Sequence, residues 1–190
     1  FCDPMGEYPW KSKELKSSLE DMKKMRYDLT HPILLAAIGK YPNDEAAWSK
    51  VAKLCLNFMI RYISVLKNKP TSVEKEISQW ACDPNFSVDM LRDKFAAKAP
   101  DGSFRDQLLT LTMPYSLPLT HYLLCVYEAD GCGRKEIWTT PGRGNNTVEH
   151  VLPQTVKPTT EWGKYWIRQF GSIENCETYK ERLGNYAFLT

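Results

Sequence analysis

The chain has 190 residues, 43% of them hydrophobic and 25% charged, with a formal charge of +2. That length suits one sizeable core, or a core with a small appendage. The composition is that of a soluble globular domain and leaves no large basic face. No stretch approaches the roughly 18 apolar residues that a membrane span needs, so no membrane partner is expected. Phe1 is not an initiator methionine and no charged-then-apolar leader follows it, which reads as a cut within a longer protein or by processing.

Residues 134–190 hold eight Lys or Arg and six Asp or Glu, whereas residues 1–133 hold 17 of each sign. The small positive excess therefore sits at the C-terminal end, which suits a phosphate-bearing ligand without demanding one. The six cysteines are Cys2, Cys55, Cys82, Cys125, Cys132 and Cys176, and no two form Cys-x-x-Cys. A zinc knuckle is not expected, and the thiols read as reduced core or surface groups of a cytoplasmic protein.

The first 130 residues read as helices. Leu15, Leu19, Met22 and Met25 recur at helical steps between Lys11 and Tyr27. Thr30-His31-Pro32 breaks the chain, and Pro32 opens a short helix, 33–38, ended by Gly39. Asn43 or Asp44 caps a long helix reaching Lys67, with Trp48, Val51, Leu54, Cys55, Phe58, Met59, Tyr62 and Leu66 on its buried face. Lys69-Pro70 stops it. Thr71-Ser72-x-Glu74 then starts a helix over 73–80, and Ser87 caps another over 88–99, ended by Pro100-Asp101-Gly102. Further helices are expected over 103–111 and, opened by Pro118, over 119–129. His31 reads as a local cap or surface residue and His121 as a core histidine.

The stretch 141–146, Pro-Gly-Arg-Gly-Asn-Asn, is a turn region, and after it the character changes. Val148, Val151 and Leu152 form a short strand-like run. Thr160 caps a helix whose Trp162, Tyr165, Trp166 and Phe170 share one face, expected to be core rather than a base-stacking platform. A short helix over 174–182 ends at Gly184, and Asn185 opens a second strand.

Glu149 and His150 stand side by side in Thr147-Val148-Glu149-His150-Val151-Leu152-Pro153-Gln154. Phosphodiester hydrolysis needs a base for water and a cation against the phosphate charge. An unperturbed imidazole is largely neutral at pH 7 and suits the first task; a carboxylate is a hard ligand suited to Mg²⁺ or Mn²⁺. Successive strand residues point to opposite faces, so the chain must bend if Glu149 and His150 are to serve one site. There is no Gly-x-x-x-x-Gly-Lys loop, no Gly-x-Ser-x-Gly element and no Cys-His nucleophile pair.

The set His150-Val151-Leu152-Pro153, a tryptophan-bearing helix and Leu183-Gly184-Asn185 with an apolar strand resembles the C-terminal nuclease domain of the GmrSD-type modification-dependent restriction endonucleases. That family belongs to the HNH, or His-Me finger, nucleases. The resemblance implies a mainly α protein, a helical bundle with a small ββα-metal hairpin near the C-terminus. It divides the chain into a helical region, 1–133, and a nuclease motif region, 134–190, packed together as one domain. It implies that His150 is the general base, that Glu149 binds Mg²⁺ or Mn²⁺, and that Asn185 holds the hairpin loop, with Pro153, Gln154 and Gly184 as motif support. In that family a helix after the second strand completes the site. The resemblance thus implies a motif cut short at Thr190, with this stretch inactive by itself. It further implies cleavage of modified foreign DNA in a bacterial or archaeal antiviral defence enzyme, with an N-terminal nucleotide-using domain in the same protein or a partner subunit. The rival reading is a non-catalytic helical module that binds DNA or docks a partner domain.

Overall fold

The computed structural model describes residues 10–131 and 147–189. Cys2, Cys132, the expected turn at 141–146 and the expected boundary between 133 and 134 lie outside the described residues. The chain is mainly helical, with one two-stranded antiparallel sheet among the described residues. It divides into two compact units, 1–109 and 110–190.

The first unit contains α1 (Lys13–Met25), α2 (His31–Lys40), α3 (Glu45–Met59), α4 (Glu74–Ala81), α5 (Val88–Lys98) and most of α6 (Asp101–Thr110). Each start has a local cause. The side chains of Ser12, Asp44 and Ser87 accept the backbone N–H groups of Leu15, Ala47 and Met90, which helix geometry leaves without intrahelical partners. α2 carries proline in its first turn, where the missing N–H costs nothing. α3 is the hub and packs against α1, α2 and α5. Leu15, Leu19, Ile33, Leu34, Val51, Cys55, Phe58, Ile77, Leu91 and Phe95 fill the core between these helices. Phe58 and Phe95 stack with ring centroids 4.2 Å apart. Burial pushes the Cys55 thiol up to about 12, which makes it inert.

The long helix expected from Asp44 to Lys67 changes its winding. α3 ends at Met59, and residues Ile60–Val65 continue as a π-helix. The wider turn advances the inward face, so Val65 is buried and Leu66 is only half-buried; Leu54 is also half-buried rather than core. Pro100 does not separate two helices by a loop. α6 begins at once at Asp101, with Phe104 N–H donating to the Pro100 carbonyl.

The second unit contains α7 (Pro118–Gly131), β1 (Thr147–His150), α8 (Glu161–Phe170), α9 (Ile173–Tyr179) and β2 (Tyr186–Leu189). Its buried side chains include Leu111, Met113, Leu119, Leu124, Leu152, Cys176 and Tyr186. Thr160 caps α8 through the Gly163 N–H, while its own hydroxyl donates to the Lys157 carbonyl at 3.0 Å. That carbonyl lies only 1.8 Å from where a Cβ on residue 163 would stand, so glycine is required there by close approach. α9, capped by Ser172, ends at Tyr179, short of the end at Arg182 expected from the sequence.

Candidate active site

β1 and β2 pair antiparallel, with Val148 opposite Phe188, Glu149 opposite Ala187 and His150 opposite Tyr186. The two motif segments are thus brought together across 35 residues of chain, α8 and α9 lying between them. The pairing is regular through His150, and the chain bends only at Val151 and Leu152. Alternation therefore puts Val148 and His150 on one face and Thr147 and Glu149 on the other. The half-buried face is the first one: His121 of α7 packs on Phe188, and Tyr115 packs on His150. Glu149 is exposed.

Asn185 ties the segments where the ladder stops. Its carbonyl accepts the Val151 N–H at 2.9 Å, extending the backbone pairing by one rung. Its side chain supplies the next: Oδ1 accepts the Leu152 N–H at 2.6 Å, and Nδ2 donates to the Leu152 carbonyl at 3.0 Å and to the Lys180 carbonyl at 2.8 Å. Asn185 is only 8% exposed, and Leu152 is buried beside it. A buried amide with three partners is a rigid joint, because losing any one leaves a polar group unsatisfied. It fixes the turn that leads from His150 into Pro153 and Gln154. Gly184 sits in the 3-10 turn Leu183–Asn185, with open space around its α-carbon. α9 has already ended, so Gly184 is not its terminator.

His150 lies between two tyrosines. The Tyr186 ring meets its imidazole edge-on at 4.9 Å between centroids and 82° between planes, and the Tyr115 ring does so at 5.4 Å and 73°. The Tyr186 hydroxyl is anchored 2.7 Å from the Met113 carbonyl and 2.7 Å from Glu181 Oε2. Burial, aided by the Glu181 carboxylate, holds that phenol well above its ordinary value. Met113 is in turn tied to the other end of the hairpin, its N–H donating to the Glu181 carbonyl at 2.8 Å. Gln154 Nε2 lies 3.4 Å from His150 Nε2. Sequence reasoning missed Tyr115, Tyr186 and Glu181. Tyr186 stands next to Asn185 and reads there only as a strand residue, and Tyr115 lies in a linker with no periodic pattern.

Glu149 and His150 do not converge, because the bend expected between them falls after both. Among the described residues no group of three His, Cys, Asp or Glu is placed to hold a metal ion. Glu149 alone falls short of the oxygen shell of a hard divalent cation, so the described residues do not fit a complete Mg²⁺ or Mn²⁺ site. His31 opens α2 with Nε2 3.7 Å from Asp28 Oδ1. His121 is half-buried, and burial lowers its pKa.

The aromatic face of α8 is not core. Trp162 is 72% exposed and Tyr165 is exposed; Trp166 and Phe170 are half-buried. The rings pack mainly on one another, from Trp162 through Tyr165, Trp166 and Phe170 to Tyr179, at 5.2–6.1 Å between centroids. Only Gly163 of α8 is buried, because the helix rests on the Lys157 carbonyl through its first turn.

No family model matches the chain, and no curated protein or solved structure matches it either. Among the described residues no helix is long and apolar enough to cross a membrane.

Proposed function

We propose that the unit 110–190 is an HNH-like endonuclease domain that hydrolyses DNA phosphodiesters, with His150 as general base. The observation that carries this reading is the Asn185 joint. Two of its side-chain hydrogen bonds pin Leu152 in the turn after a half-buried histidine and a third ties that turn to Lys180, the rigidity a positioned base requires. The step assigned to this chain's own residues is proton removal. The imidazole takes a proton from water, the water oxygen bonds to phosphorus, and the bond from phosphorus to the opposite ester oxygen breaks. That leaving oxygen collects a proton from solvent. No step is routed through a metal ion; Glu149 is proposed as one ligand of Mg²⁺ or Mn²⁺ and no more. Exposed Trp162 and Tyr165 offer ring faces to an unstacked base. Modified foreign DNA as substrate, a role in bacterial or archaeal restriction and a nucleotide-using partner domain or subunit belong to the same proposal, through the likeness of the His150–Pro153 and Leu183–Asn185 elements.

The separation of Glu149 and His150 on opposite faces favours the second reading, a non-catalytic module that binds DNA or docks a partner domain. Plasmid nicking with Mg²⁺ or Mn²⁺, on modified and unmodified DNA, decides between them. His150→Ala should lower cleavage by about 10²–10⁴-fold with an unchanged thermal melt. Equal cleavage by the variant would remove His150 from the reaction. No cleavage by the full-length protein on either DNA would favour the module.

A further inference from the structure

We propose that a cleft beside α3, α5 and the start of α6 binds a small amphipathic anion, an apolar ring system bearing one carboxylate. The inference concerns the first unit alone and is independent of the reading of His150. The cleft has a volume of about 340 Å³, within the range of small-molecule sites. Phe58 and Phe95 line it and are both buried, so its floor is aromatic; Leu54 and Ala96 extend the apolar wall. Arg61 and Arg92 bring two guanidinium groups to the same cleft.

Arg61 is fixed before any ligand arrives. Its Nε and Nη2 donate to the Ala99 carbonyl at 3.1 and 2.6 Å, and Nη2 also donates to Asp101 Oδ1. Its guanidinium carbon stands 4.7 Å from the centroid of the Phe104 ring. Nη1 is left without a protein partner among the described residues. A guanidinium already held in one orientation takes a carboxylate with little further loss of freedom. Arg61 is also the second residue of the π-helical turn, a winding that recurs at functional sites. Arg92 is exposed and pairs with Asp89 one turn away on its own helix. Of the charged residues lining the cleft, Arg61 and Arg92 stand against Asp101, which leaves one positive charge. That balance selects a monoanion, and the aromatic floor selects a ring over a bare ion.

The test is an NMR titration of the full chain with 2-naphthoate, and with 2-naphthylmethanol as its uncharged counterpart. The carboxylate should bind saturably and shift the Phe95 and Ala96 resonances, and the alcohol should bind at least about 10-fold more weakly. Arg92→Gln should weaken carboxylate binding by about 3- to 10-fold and leave the alcohol unaffected. Asp101→Asn keeps an acceptor for Arg61 and removes the opposing charge, so it should tighten carboxylate binding by about 2- to 5-fold. Ala96→Trp, at an exposed position, should fill the cleft and abolish binding of both, with an unchanged thermal melt. Three results overturn the proposal: no saturable uptake of 2-naphthoate at about 1 mM, equal binding of acid and alcohol, or binding indifferent to Arg92→Gln and Asp101→Asn.

Discussion

Asn185 and Tyr186 are consecutive and do different work. Asn185→Ala removes three side-chain hydrogen bonds and strands the Leu152 N–H in a buried turn. A loss of about 1–3 kcal/mol is expected, readable as a lower denaturant midpoint, whereas His150→Ala should leave that midpoint in place. Tyr186 carries a pH signature. Its phenol is held protonated in the fold above its ordinary value of 10.0. The stability it contributes is therefore fully present below that pH and lost as pH rises beyond it, because the unfolded chain ionises first. Tyr186→Phe should flatten the alkaline fall of the melting temperature; an unchanged alkaline slope would show that Tyr186 is not responsible for it. Residue type made Asn185 legible, since Gly-Asn before an apolar run marks a strand entry. What its amide would bond to lies 33 residues away at Leu152, and local pattern carries no such information.

At the scale of elements, α8 separates amphipathicity from burial. Four aromatic residues at helical spacing read as a core face. The helix instead rests on its first turn, where Gly163 lies against the Lys157 carbonyl, and its rings meet edge to face along the surface. Trp162→Ala should accordingly change stability by no more than about 0.5 kcal/mol, as surface substitutions do. Gly163→Ala should cost about 1–3 kcal/mol by overpacking against backbone that has little room to yield. Parallel chemical melts of the two variants give the order, and a larger loss for Trp162→Ala would show that the tryptophan is buried after all. Caps were legible for a simple reason. Asp44, Ser87 and Thr160 each act on a backbone N–H three residues away, inside the reach of sequence. The π-helical turn at Ile60–Val65 was not legible, because the stretch is apolar enough to satisfy either winding and packing decides between them.

For the whole molecule, the consequential arrangement is the register of β1 on β2. It unites two segments that the sequence already marks, and it also parts Glu149 from His150. Calorimetric titration of the chain with Mn²⁺ should show only weak uptake, since the described residues supply no carboxylate cluster. Tight saturable binding that Glu149→Gln abolishes would mean that further ligands join Glu149.

The sequence by itself determined where most helices begin, most of the buried faces of α1 and α3, and which two short segments make the strands. All of these follow from interactions between neighbours in the chain or from the period of apolar residues. Tertiary structure alone decided that Tyr115 and Tyr186 would enclose His150, that Glu149 would face away from it, and that Trp162 would stay in water. Each of those depends on a pairing register or a packing surface built from residues distant in the chain. A strand shifted by one residue would present the opposite face without altering any local pattern.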